Sequence, residues 1–158
     1  MKKIVIKIGG NAATQLTPAF FDTIKFWQKQ HYKIAIVHGG GDTISALMSQ
    51  LNEPVQKING IRFTTQNGIN ITKMALLGQV QPALLEACRV NGLSVIGLNA
   101  ASDQLLTGHT IDQDTFGYVG NIHQVNTKLI HNLWEKNLIP IIAPMAITNS
   151  GQLSLIHI

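Results

Sequence analysis

Charged side chains are scarce in this sequence: Asp, Glu, Lys and Arg make up 13% of its 158 residues, and only eight of them are acidic. Hydrophobic residues reach 45%. A chain so poor in charge and rich in apolar residues can bury a core, which excludes a disordered segment. Cys88 is the only cysteine, so an intrachain disulfide is excluded. It lies in the helical pattern Leu84-Leu85-Glu86-Ala87-Cys88, the setting of a buried core thiol. Long apolar runs are missing too. Ile4 to Ile8 is interrupted by Lys7 and is too short for a signal peptide, and no stretch approaches the ~18 apolar residues of a membrane span. We expect a cytoplasmic protein with no membrane partner.

A basic patch is also absent. The formal net charge is +4 and the pI is near 9.4, but the Lys and Arg residues are scattered and only Lys2-Lys3 are adjacent. A nucleic-acid binder gathers such residues into a stripe, so no nucleic-acid partner is expected. The six histidines lack metal-ligand spacing. His109 and His123 can face each other across a hairpin, but no Cys or carboxylate cluster completes a site. No metal site is expected.

What is present is an alternation of strands and helices. Ile4-Val5-Ile6-Lys7-Ile8 reads as a buried strand ending in Gly9-Gly10. Thr17-Pro18 opens a helix carrying Phe20, Phe21, Ile24 and Trp27 at helical spacing. A second strand, Ile34 to Val37, runs into His38-Gly39-Gly40-Gly41, and Ile44, Leu47, Met48 and Leu51 mark a helix directly after it. Asn52 to Thr65 is polar and mixed. A long helix is predicted over Asn67 to Val90, ended by Asn91-Gly92. Leu93 to Leu98 is a third strand. Thr107 to Thr110 and Tyr118 to Ile122 form a β-hairpin excursion around the Asp112 to Gly117 turn. Asn126 caps a further helix, and Ile139 to Ile147 is a fourth strand despite Pro140 and Pro144. The pattern predicts an α/β fold with a mainly parallel central sheet sandwiched by helices.

Two glycine turns follow two consecutive strands, at the sheet edge where ligands of open parallel sheets bind. Glycine lets backbone N–H groups approach an anion, and the helix after Gly41 adds its N-terminal partial charge. The pair favours a phosphate or carboxylate site over two ordinary turns. No G-x-x-x-x-G-K-[ST] run exists, and Ile44 stands where a dinucleotide fingerprint needs its third glycine. Lys7, two residues before Gly9, is either a cation across a transferring phosphoryl group or a lysine on the solvated face of an edge strand. Position alone does not separate the two. Arg62 can grip a carboxylate with two parallel hydrogen bonds, although an arginine in a polar loop is usually only solvated. His38, beside the glycines, reads as structural.

Together, Lys7-Ile8-Gly9-Gly10, His38-Gly39-Gly40-Gly41 and Asn59-Gly60-Ile61-Arg62 resemble the acetylglutamate kinases of the amino-acid kinase superfamily. The resemblance continues through Ala75-Leu76-Leu77-Gly78, Gly117-Tyr118-Val119-Gly120 and Gly151-Gln152-Leu153. It implies the N-terminal part of the amino-acid kinase fold, with residues 1–152 as the substrate-binding lobe. It further implies that Gly40, Gly41 and Arg62 hold N-acetyl-L-glutamate, with Arg62 on its α-carboxylate. Lys7 would stabilise the phosphoryl group in flight, and Gly9 and Gly10 would lie under the phosphates of ATP, used with Mg2+. The implied reaction transfers the γ-phosphoryl to the side-chain carboxylate, in arginine biosynthesis, by a homo-oligomer when full length. A kinase of an aminoadipate derivative in lysine biosynthesis, or a non-catalytic binding module for acidic ligands, remains an alternative.

The family pattern breaks at the end. After Leu153 it runs into an N-x-N-A-D segment, where this sequence has Ser154-Leu155-Ile156-His157-Ile158. Residues 153–158 are also what CTG-TCT-CTT-ATA-CAC-ATC encodes, a string resembling a transposon end used for sequencing libraries. They are expected to be a non-native tail on an inactive fragment that lacks the nucleotide-binding half and its second lysine, a real short homologue being the alternative.

Overall fold

The computed structural model describes residues 2–9 and 12–156; Gly10 therefore lies outside the described residues. Four parallel strands form the central sheet: β1 (Lys3–Ile8), β2 (Lys33–His38), β5 (Val95–Leu98) and β8 (Ile139–Ile142), in the order β1-β2-β8-β5. Helices α1 (Pro18–Lys29), α2 (Gly41–Gln50), α3 (Gln66–Ala75), α4 (Gln81–Val90) and α6 (Thr127–Glu135) complete the layered α/β architecture. One apolar core, around Ile24, Ile36, Leu84, Cys88 and Ile141, packs α1 and α4 against the sheet. A second, around Met48, Ile69, Leu76, Leu98, Leu105 and Met145, joins α2 and α3 to the irregular half of the chain.

The predicted 67–90 helix is α3, a π turn at Leu76–Val80, and α4, running on without a break. Pro82 would clash with the carbonyl four residues back in a regular helix. Here it falls in the first turn of α4, directly after the widened turn has relaxed that ladder.

Three expectations need correction. β1 is an edge strand rather than a buried one. Lys3, Val5 and Lys7 face outward, with Val5 69% exposed, while Ile8 is buried. The third strand begins at Val95, not Leu93. The fourth strand does not continue to Ile147. It ends at Ile142, and β9 (Met145–Ile147) resumes in a separate closed set of strands beyond Ala143-Pro144. Pro140 is tolerated because Ile139 and Ala143 make the donations toward β5, so its missing N–H falls on the β2 side, where the ladder begins only at Ile141.

That closed set contains β6 (Leu106–Thr110), β7 (Val119–Val125), β9 and β10 (Leu153–Ile156). β6 and β7 are the predicted hairpin, with the short helix α5 (Gln113–Phe116) in its turn. Gly117 is required there: its φ is +68°, and a Cβ would collide with the Thr64 carbonyl. β10 pairs with β7 and β9, and its alternation buries Ser154 and Ile156. Asn126 accepts from the Leu129 N–H at 3.2 Å, capping α6 as predicted.

The polar stretch 52–65, left without structure by its composition, holds a two-stranded hairpin of β3 (Gln56–Ile58) and β4 (Ile61–Phe63). Asn59 and Gly60 turn it with φ of 51° and 83°, the left-handed pair that a tight hairpin demands.

Candidate active site

A cleft of about 250 Å³ opens at the carboxyl ends of the central strands. Lys7 and Gly9 reach it from β1, Gly39, Gly40 and Gly41 from the turn after β2, and Pro144 from the turn after β8. The β3–β4 hairpin covers it with Lys57, Gly60 and Arg62, and Leu155 and Ile156 of β10 close one wall. All the described candidates, Lys7, Gly9, Gly40, Gly41 and Arg62, are thus brought together.

The glycine turn is held from below. The Gly39 N–H donates to the Ile8 carbonyl at 2.7 Å, tying the two turns together. His38 is fully buried, and its Nδ1 lies 2.9 Å from the Gly39 carbonyl oxygen. Burial lowers the His38 pKa, partly countered by that hydrogen bond. Burial thus favours the neutral ring. Gly40 has an extended φ of 174°, so its need is space, not dihedral freedom. A Cβ would lie 2.6 Å from Leu76 Cδ2 and 3.2 Å from Val80 Cγ2, both in the π turn. A Cβ at Gly9 or Gly41 would meet nothing within 4 Å, so the backbone there is open to a ligand. α2 begins at Gly41, which aims its N-terminal amides at the cleft.

Arg62 is half-buried. Its Nη2 donates to Ser45 Oγ at 2.8 Å and its Nη1 to Met48 Sδ at 3.3 Å, both on α2. Burial lowers its pKa from the ordinary guanidinium value, which still leaves it cationic. The hairpin that carries it is fastened at its two ends. Glu53, before β3, accepts from the Thr65 hydroxyl and from Asn67 Nδ2, both after β4. Those two bonds hold the Glu53 carboxyl below its ordinary pKa. Thr65 also caps α3 by accepting from the Gly68 N–H at 2.8 Å.

Lys7 sits on the exposed face of an edge strand, so no burial penalty marks it as special. Its distinction is its place on the cleft wall. Lys57 was missed by sequence reasoning. It is the cross-strand partner of Arg62, so both project from one face of the hairpin into the cleft. The signal was available: Asn59-Gly60 between two short apolar-containing runs marks a two-residue turn, and that turn sets 57 opposite 62.

Among the described residues the lining therefore offers three cationic side chains, open glycine amides and a helix N-terminus, and no Asp or Glu. Such a lining can attract an anion carrying more than one negative charge. Elsewhere, His109 and His123 do stack across the hairpin, with ring centroids 5.9 Å apart. Among the described residues no group of three His, Cys, Asp or Glu could hold a metal ion. Among them, too, no helix is long and apolar enough to cross a membrane.

The chain is similar to known proteins in sequence and in fold. The chain is 99% identical over 152 residues to the acetylglutamate kinase of Leuconostoc mesenteroides, covering 96% of this chain and 62% of that protein. It is 77% identical over 151 residues to the acetylglutamate kinase of Leuconostoc citreum, with the same two coverages. A crystal structure from Streptococcus mutans superposes with a TM-score of 0.94 at 38% identity, over 98% of this chain and 63% of that one. The chain thus spans about 62% of the length of the curated relatives it matches. The model of the amino acid kinase family matches residues 2–157, nearly the whole sequence, and the chain belongs to that family.

Proposed function

We propose that the protein represented by this chain transfers the γ-phosphoryl group of ATP to the side-chain carboxylate of N-acetyl-L-glutamate, and that residues 1–152 form its substrate-binding lobe. The observation that supports this reading is that, among the described residues, every charged side chain of the cleft lining is a cation. Acetylation removes the ammonium of glutamate and leaves two carboxylates, a net charge of −2. Lys7, Lys57 and Arg62 answer that charge, and among the described residues no acidic side chain lines the cleft to pair with a free ammonium. Near-identity to proteins named acetylglutamate kinase supports the same substrate.

In this reading the planar Arg62 fork takes the α-carboxylate, with the Gly40 and Gly41 amides beside it. Lys7, across the cleft, faces the side-chain carboxylate and the phosphoryl group that it attacks. The Gly9 backbone, open on its cleft side, approaches the nucleotide phosphates, and we extend that role to Gly10. The chemistry is positioning and charge neutralisation. The residues present fit a polyphosphate rather than a bare divalent cation, so magnesium would arrive on ATP and supply further neutralisation there.

The test has two arms. Isothermal titration of this chain should show N-acetyl-L-glutamate binding, and glutamate with its free ammonium should bind far more weakly. ATP-dependent hydroxamate formation, run on a protein as long as its relatives, should follow the same preference. Stronger binding of an N-acylated aminoadipate, one methylene longer, would move the assignment to that substrate. Binding of both acids without phosphoryl transfer in the long protein would make the site a binding module.

A further inference from the structure

Arg62 is held by two side-chain contacts among the described residues, and one hydroxyl does much of the holding. Ser45 lies on the first turns of α2 and is half-buried. Its Oγ donates to the Gly41 carbonyl at 2.8 Å, one helical turn back, and accepts from Arg62 Nη2 at 2.8 Å. The hydroxyl has one proton and two lone pairs, so the two bonds are compatible and mutually polarising. Its proton is committed to the Gly41 carbonyl, which turns a lone pair toward the guanidinium. The chain of bonds runs from the glycine turn, through Ser45, to Arg62. It links the two elements that meet the ligand, and both lie on the cleft wall.

We infer that Ser45 is a positioning residue for the substrate carboxylate: it fixes the Arg62 guanidinium relative to the Gly40–Gly41 amides, and so sets the spacing at which the acidic acceptor is gripped. This rests on the substrate reading above. Met48 Sδ, the other contact of Arg62, is a weak acceptor and sits one turn further along α2. It confines the guanidinium without orienting it. Without the Ser45 hydroxyl the Arg62 fork keeps its charge but loses its fixed direction, and a hydrogen bond to a charged donor is the stronger kind to lose. Alanine is a good helix former, so Ser45→Ala leaves α2 intact. Threonine can make the same bond to the carbonyl four residues back, so Ser45→Thr keeps both partners.

The experiment compares the unsubstituted chain with Ser45→Ala, Ser45→Thr, Arg62→Ala and the Ser45→Ala/Arg62→Ala double variant. Equilibrium dialysis measures N-acetyl-L-glutamate binding. Ser45→Ala should weaken it about tenfold, and Ser45→Thr should stay within about twofold. Adding Ser45→Ala to Arg62→Ala should cost little more, because Ser45 acts through the arginine. A second readout needs no ligand. The sequence has two arginines, Arg62 and the exposed Arg89, and phenylglyoxal labelling followed by peptide mass spectrometry reports each. Ser45→Ala should speed labelling of Arg62 several-fold and leave Arg89 unchanged. If the unsubstituted chain fails to bind N-acetyl-L-glutamate, the substrate reading falls and the labelling alone decides whether Ser45 holds Arg62. Unchanged labelling, a full additive loss in the double variant, or a threonine variant as weak as alanine would each overturn the inference.

Discussion

Replacing Arg62 by alanine should cost binding and spare the fold. The guanidinium is half-buried and makes two side-chain contacts, with Ser45 and Met48, and no salt bridge among the described residues. Truncating one member of a buried charge pair costs ~2–5 kcal/mol. The site is partly open, so the lower half of that range applies, ~2–3 kcal/mol, or roughly 30- to 150-fold in dissociation constant. Ser45 keeps its bond to the Gly41 carbonyl when the arginine goes, and Met48 remains in an apolar core. Neither partner becomes a buried orphan, and the melting temperature should move little. Titration calorimetry with N-acetyl-L-glutamate and a thermal melt on the same sample make the comparison. An affinity within threefold of the unsubstituted chain would refute the assignment of Arg62 to the ligand, and a collapsed melt would show that it is a structural residue.

Other outcomes follow from the same contacts. In a protein as long as its relatives, Lys7→Ala should lower kcat by ~10²–10³, by analogy with losing one oxyanion donor, while acetylglutamate affinity changes little; near-normal turnover would return Lys7 to a solvated edge. Burial keeps His38 neutral in the fold while the unfolded chain takes up the proton near its ordinary value of 6.5, so stability should fall as pH drops below ~6.5 and down to the folded pKa. Urea midpoints should show that fall, with a shallower slope in His38→Gln; equal slopes would remove His38 as the cause. Gly40→Ala should destabilise by ~1–3 kcal/mol through overpacking against Leu76 and Val80, and an unshifted urea midpoint would mean that the π turn yields freely. The Cys88 thiol is fully buried and pushed up to about 11, so a thiol reagent at pH 8 should label it only in denaturant.

The regular part of the fold was legible because its signals are periodic and local. Apolar spacing marked the helices, and glycine runs marked the strand ends that converge on the cleft. What failed depended on topology. The run Ile4–Ile8 is as apolar as an interior strand, yet only the strand order makes β1 an edge and leaves Val5 outside. Ile139 to Ile147 is continuous in hydrophobicity, but Ala143-Pro144 turns the chain from one set of strands to another, and both halves are buried. The candidate site residues were legible where a motif held them, as with the glycines, Lys7 and Arg62, and illegible where only the fold sets a side chain on the cleft. Lys57 has no local signature beyond the Asn59-Gly60 turn, and Ser45 looks like any serine on a helix until the fold sets it beside Arg62.

The hairpin that carries Lys57 and Arg62 explains why binding and folding should separate in this molecule. Gln56 to Gly60 is exposed throughout, and β4 is only half-buried. Two short strands are marginal on their own, and their apolar face, Ile58, Ile61 and Phe63, stays exposed or half-buried outside both apolar cores, so the hairpin adds little to the core. Its position is held by polar contacts: the Glu53, Thr65 and Asn67 bracket at its base, the backbone bonds of Thr64 to Phe116 and Tyr118, and the α2 contacts of Arg62 near its middle. The glycine turn, by contrast, rests on fully buried His38 and on the Leu76–Val80 turn. The two halves of the proposed anion site therefore draw on different reserves. Substitutions under the glycines should register in global unfolding, whereas those in the hairpin should register in local opening and in ligand affinity. Hydrogen exchange would read this directly, with fast exchange at 56–60 and slow exchange at 34–38, and equal protection of both segments would contradict it.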